Sequence, residues 1–329
     1  MKYEFTNQQY TDFLNSVAAT DTYSLYNPNM GSNSRGGIVR RGSPGSYTYS
    51  VKENMGNKPV NFVSWFNAAR VSNWYQNGAT SLSSTETGAY SLGGMTSGNA
   101  PAVNSGAAYF LPMEDQWYKA AFYNPSLKDG AGGYRLYGNG FDDTPGSVSS
   151  NEFGNGSAGA TGNFANYNSG AIWDGQTGNV TTVGTNGSPS FYGAYDMSGN
   201  VYEWNDLTGS SNSERGLRGG RWLSDNAIYT SSVYRVDVGT EYAYDGGGFR
   251  LASIALPTDS HLVVQPVPLT GNYNGSLNNK YTSPPTGSVL LGGVPFSIPS
   301  DGLNYWDAAA VTQGPEPVSV EIPVNVFAV

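Results

Sequence analysis

Tyr192-Gly193-Ala194-Tyr195-Asp196-Met197-Ser198-Gly199-Asn200-Val201-Tyr202-Glu203-Trp204 joins a glycine-punctuated loop to a strand-like run at 201–204, and it holds two carboxylates, Asp196 and Glu203. Further strand-like runs follow at 216–222, 231–236 and 248–253. On the amino-terminal side stand two tracts, 79–107 and 124–190, rich in Gly, Asn, Ser and Thr and with little helical periodicity. Loops longer than about 15 residues are usually disordered, or else held by packing or an ion and put to use. Tyr134, Tyr137, Phe141, Phe164, Tyr167 and Trp173 within the second tract favour ordered loops.

Three segments read as helices. Thr6 to Ala18 opens with a capping box, Thr6 and Gln9, and repeats Tyr10, Phe13, Leu14 and Val17 at helical spacing. Ser64 to Gln76 has a serine N-cap, an apolar side of Trp65, Ala68, Ala69 and Trp74, and Gly78 as a stop. Met113 to Tyr123 follows Pro112, places Glu114 and Asp115 at its positive end, and closes before Pro125. The fold class is therefore α+β with long ordered loops.

Composition removes much catalytic chemistry. The 329 residues contain no cysteine, which excludes disulfides, Cys-ligated metals and thiol nucleophiles. One histidine, His261, excludes multi-His metal centres, and its proline-rich surroundings give a solvated side chain rather than a triad member. Lys plus Arg number 16 against 25 Asp plus Glu, a formal charge of −9 that opposes nucleic-acid binding. Charged residues make up only 12%, so the polar surface must be mostly Asn, Ser, Thr, Tyr and Gly, as on extracellular, cell-surface or virion-surface proteins. Residues 1–20 lack the apolar run of a signal peptide, and no stretch is apolar and long enough for a membrane span. The carboxylates Asp142, Asp143 and Asp206 read as solvated loop residues before acid–base catalysts.

Four stretches carry a family resemblance: Phe62-Val63-Ser64-Trp65-Phe66-Asn67-Ala68-Ala69-Arg70; Phe110-Leu111-Pro112-Met113-Glu114-Asp115-Gln116-Trp117-Tyr118-Lys119-Ala120-Ala121; the 192–204 stretch; and Leu217-Arg218-Gly219-Gly220-Arg221-Trp222 with Gly248-Phe249-Arg250. In this order, over residues 1–255, the chain resembles the formylglycine-generating enzyme, or sulfatase-modifying factor, family. The resemblance implies a C-type-lectin-like fold. Active members oxidise a substrate cysteine with two cysteines of their own and, in aerobic enzymes, copper. Aligned on Arg218-Gly219-Gly220, those positions hold Ser224 and Tyr229. Neither supplies the soft thiolate that Cu(I) requires, so no catalytic residue and no copper are expected. The family also implies calcium, at Asp196, the Gly199 and Val201 carbonyls and Glu203, with a second set at Asn166, the Tyr167 carbonyl and Asp174. These are hard oxygen donors suited to Ca²⁺. The competing reading gives Glu203 to an arginine and Asp196 to a turn.

The expected function is non-catalytic binding of a protein or glycan ligand, or of a neighbouring subunit. Its face is 221–247, with Arg221, Trp222, Asp225, Tyr229, Tyr234, Asp237, Glu241, Tyr242, Tyr244 and Asp245. Tyrosine gives large contact area at little entropic cost. In position this segment resembles the variable segment of retroelement-diversified lectin-fold proteins. A structural subunit of a surface layer, filament or virion is one alternative, and a divergent oxidoreductase or hydrolase another. Beyond a proline-rich linker, 256–286, residues 287–329 form a β-rich module. Its alternation from Val318 to Phe327 predicts an edge strand open to self-association.

Overall fold

The computed structural model describes residues 1–254 apart from Ser210, and the backbone of two strands further on. The chain divides into two compact units, Met1–Ala255 and Leu256–Val329.

Four helices mark the first unit. Helix α1 (Asn7–Val17) begins at Thr6, whose hydroxyl accepts from the Gln9 amide while Gln9 Oε1 accepts from the Thr6 amide. Its buried face is Tyr10, Phe13 and Leu14. A single turn, α2 (Asn29–Ser32), follows; nothing in the sequence pattern marks it. Helix α3 (Trp65–Gln76) is capped by Ser64, and every residue from Trp65 to Trp74 is buried, so it runs through the core rather than along the surface. Helix α4 (Glu114–Phe122) buries Trp117, Ala121 and Phe122.

The strands are short. A hairpin pairs β1 (Ile38–Arg41) with β2 (Thr48–Val51). The main sheet is built on β3 (Tyr202–Thr208), antiparallel to β4 (Glu214–Arg218), which pairs in turn with β5 (Val236–Gly239). On its other edge β3 runs parallel to β6 (Gly247–Gly248). The core lies between this sheet and α3. Trp204 sends its indole N–H to the Val63 carbonyl at 3.0 Å, and Phe5 stacks on Phe249 at 4.8 Å. Burying each such phenylalanine contributes about 1.5–3 kcal/mol.

Three strand expectations shift. The run at 216–222 ends as β4 at Arg218, because Gly219 and Gly220 take φ of +93° and +75°. A side chain on Gly220 would meet Thr230 Cγ2 at 2.6 Å, so only glycine turns the chain there. The run at 231–236 gives way to a turn: Ser231 bonds back to Ile228 and makes an isolated antiparallel bridge with Tyr137, and a paired strand starts only at Val236. The run at 248–253 is split. Its Phe249 carbonyl accepts from the Phe5 amide, and Ala252–Ser253 pairs with Tyr109–Phe110 instead.

The long tracts are ordered by side-chain amides. Asn73 Nδ2 donates to the Thr85 and Tyr90 carbonyls, and Asn77 Nδ2 to those of Ser84 and Thr87. Lys58 Nζ, with no carboxylate beside it, donates to the Phe153 carbonyl and Thr182 Oγ1. A chain poor in charge thus satisfies its loop backbone with asparagine. No described helix is long and apolar enough to cross a membrane.

In the second unit, residues 287–298 form not one strand but an antiparallel pair, β7 (Gly287–Leu291) and β8 (Val294–Ile298). The linker, His261 and the alternating stretch 318–327 lie outside the described residues.

Candidate functional site

The loop that feeds β3 turns through left-handed backbone at Asp196, Gly199 and Asn200. Asp and Asn tolerate this conformation better than other side chains. The turn places a charged group under the sheet. Arg250 Nε and Nη2 lie 2.5 Å from the two carboxylate oxygens of Glu203, and Trp117 Nε1 donates to the same carboxylate at 2.8 Å. Asp196 accepts from the Gly184 amide at 2.6 Å and from Asn186 Nδ2 at 2.8 Å. A third carboxylate, Glu4, accepts from Asn200 Nδ2 at 2.7 Å and from the Val201 amide. Burial raises the Glu4 carboxyl well above the usual range, and the charges of Asp196 and Glu203 raise it further.

This arrangement does not fit calcium at Asp196, Gly199, Val201 and Glu203. Both Glu203 oxygens face a guanidinium that already neutralises them and repels a second cation. Among the described residues no three acidic or histidine side chains converge on a metal position. In the second set, Tyr167 gives its carbonyl to Ser147 Oγ, and Asp174 is exposed. Asn166 Nδ2 is fully used, yet its Oδ1 is buried with no partner.

Sequence reasoning missed Glu4, because its partners Asn200 and Val201 lie almost the whole domain away. It also misplaced Asp206, which is half-buried, with a side chain 13% exposed, and lies beside Arg215 Nε at 3.2 Å. Burial pushes the Asp206 carboxyl up to about 6. A raised carboxyl favours the folded state below the unfolded pKa near 4, and that contribution is lost as pH rises through about 6. The thermal midpoint should therefore climb as pH falls from 7 to 5, and Asp206→Asn should flatten that climb. A midpoint that falls steadily over the same interval in both proteins counts against the assignment.

Of the two positions that the resemblance gives to cysteines, one is buried and the other half-buried. Ser224 is 7% exposed; its hydroxyl accepts from the Arg221 amide and its carbonyl from the Asn168 amide. The Tyr229 ring packs edge-on against Tyr234 at 4.7 Å.

Around them the 221–247 segment sorts into a base and a rim. Trp222, expected on the face, is only 2% exposed: its indole N–H reaches the Asp245 carbonyl and Arg35 covers its ring. Arg221 lies over the Tyr244 ring at 5.2 Å and 3.8 Å from Asp245. Asp237 turns one oxygen inward without a partner. Asp225, Glu241 and Tyr242 are the exposed members. Beside this rim, Glu241 and Ala243 help to line a cleft of about 440 Å³ that also receives Tyr23, Arg40 and Tyr47, residues that no sequence motif singled out.

Residues 1–255 match the family described as the sulfatase-modifying factor enzyme 1-like domain. Among solved structures the chain is similar to CarF, at 22% identity and a TM-score of 0.47, over 78% of this chain and 86% of that one. It is also similar to variable protein 1 of Treponema denticola, at 20% identity and a TM-score of 0.40, over 76% and 82%. A third is PvdO from Pseudomonas aeruginosa, at 17% identity and a TM-score of 0.34, over 64% and 67%. No curated protein matches.

Proposed function

The chain belongs to the sulfatase-modifying factor enzyme 1-like family, and from that premise we propose that it is a non-catalytic binding protein of a cell or particle surface. The observation that carries this reading is the state of the two cysteine positions. A buried serine and a stacked tyrosine offer no thiolate for copper and no base to activate a hydroxyl. What remains is the scaffold and its rim. Tyr242 is 52% exposed and touches Tyr244, and Asp225 and Glu241 of the same segment are exposed as well. Rigid tyrosines edged by adaptable polar groups are the usual composition of a recognition surface.

Two assays test it. Copper-loaded protein offered a cysteine peptide should show no oxidation; turnover lost in Ser224→Ala overturns the reading. A glycan and peptide array should give a hit on the wild-type chain that Tyr242→Ala and Asp225→Ala weaken by about tenfold at unchanged thermal midpoint; hits unaffected by both variants place binding elsewhere. Running the arrays and melts with and without a chelator tests the second calcium set, which the unpaired Asn166 oxygen favours. A bound ion at a hundredfold excess over its Kd stabilises by about 2.7 kcal/mol.

A further inference from the structure

The cleft beside the rim is built from five separate parts of the chain: the loop after α1, the β1–β2 hairpin, Phe62 with the start of α3, Thr96 of the 79–107 tract, and Glu241 with Ala243 from the 221–247 segment. Its volume, about 440 Å³, lies within the range of small-molecule sites. Two features separate it from an incidental groove. First, three non-glycine residues on its wall have left-handed backbone: Asp21 at φ +56°, Ser24 at +53° and Phe62 at +57°. A phenylalanine in that region is an outlier, and such strain gathers where a binding surface must be shaped. Phe62 is held there by the hydrogen bond from its amide to the Tyr244 carbonyl at 2.9 Å. Second, Tyr23 and Tyr47 stand half-buried at the wall, and among the described residues neither hydroxyl has a hydrogen-bonding partner.

The charges decide what such a cleft accepts. Arg40 is paired with Asp21 at 3.0 Å, and Asp21 also accepts from the Leu25 amide at 2.6 Å, so this pair is satisfied within the chain. Glu241 then leaves the cleft with excess negative charge, which disfavours an anion. A cationic ligand finds ring faces already taken. Arg40 lies over Tyr26 at 4.7 Å and over Tyr47 at 4.3 Å, and Arg70 lies over Tyr23 at 4.3 Å. What is left is tyrosine hydroxyls, an exposed carboxylate and polar wall residues such as Thr20, Asn27 and Thr96. This set suits a neutral molecule dense in hydroxyl groups. We propose that the cleft binds a neutral saccharide unit, with Glu241 and the Tyr23 and Tyr47 hydroxyls bonding its hydroxyl groups. The inference rests on the ligand-binding reading above and names the ligand class and the pocket.

The test titrates the full chain with uncharged sugars (glucose, galactose, mannose, N-acetylglucosamine and the disaccharides lactose and cellobiose), followed by saturation-transfer NMR and calorimetry. At least one should bind. Tyr47→Phe, which keeps the ring beneath Arg40, and Glu241→Gln, at an exposed position, should each weaken it about three- to tenfold, the loss of one hydrogen bond. Ile172→Ala, at an exposed position in neither the cleft wall nor the rim, should leave it unchanged. No binding by any of these sugars overturns the inference, as does binding indifferent to both cleft substitutions. Sugar binding lost in Tyr242→Ala but kept in the cleft variants preserves the recognition rim and removes the cleft; displacement of the sugar by choline or inorganic phosphate also removes it.

Discussion

Arg250→Met should destabilise the amino-terminal unit by about 3–5 kcal/mol, the cost of leaving buried charge uncompensated. The Arg250 guanidinium faces three buried carboxylates, Glu203 in direct contact and Glu4 and Asp196 further off. Removing it strands all three; removing Glu203 strands only the arginine, which Glu4 and Asp196 still offset. Arg250→Met should therefore cost more than Glu203→Met, and its penalty should shrink at pH 5, where burial lets Glu4 and Asp196 take up protons. Denaturant titration of both variants at pH 7 and pH 5 measures this. Two equal costs below about 1 kcal/mol, the value of an exposed pair, would falsify the buried-group account. Where Arg250→Met is too unstable to purify, Glu203→Met still separates the two descriptions: its loss should grow at pH 5, where protonated Glu4 and Asp196 no longer offset Arg250, whereas a solvated pair gives no such change.

How far this centre was legible follows from sequence distance. The helices were readable because caps and periodicity are local: Thr6 and Gln9 are three residues apart, and Ser64 stands beside the helix it starts. The sheet was readable as strand-like runs but not in its bounds, since β4 ends where Thr230 closely approaches Gly220, a tertiary reason. The charged centre was readable only as one of two alternatives. Asp196 and Glu203 have the composition of calcium ligands, and only the return of Arg250, 47 residues after Glu203, takes Glu203 into an ion pair, while Gly184 and Asn186 take up Asp196. The alternative reading that gave Glu203 to an arginine was open from the sequence, but nothing local chose between them. Trp222 failed in the same way: an aromatic in a recognition-like segment is on the surface only if no partner covers it, and Arg35 does.

The order of the 79–107 tract had the same hidden cause, and it yields the second large effect. Arg70, on the buried face of α3, has a side chain closed to solvent. Its Nε and Nη2 bond the two oxygens of Glu86 at 2.7 and 2.9 Å, Nη2 also reaches the Met95 carbonyl, and Tyr23 covers the guanidinium face. Glu86 in turn accepts from the Gly94 amide at 2.7 Å and gives its carbonyl to the Leu92 amide. One buried cation therefore gathers both ends of a loop that has no strand or helix of its own. Glu86→Ala removes the counter-charge, the Gly94 contact and the seat for Arg70 together. The loss should approach about 3 kcal/mol, the lower end for a broken buried pair, because Glu86 itself keeps some solvent contact. The effect should also be local. Backbone amides from 86 to 95 should exchange much faster with solvent while those of α1 hold their protection, since loop opening and global unfolding are separate events. Glu86→Gln, which keeps the shape and one acceptor, should fall between the two. Hydrogen exchange read by mass spectrometry decides the matter: protection unchanged across 86–95, with a stability loss under about 1 kcal/mol, would mean that the buried side chains of Tyr90 and Leu92 hold the loop without the ion pair.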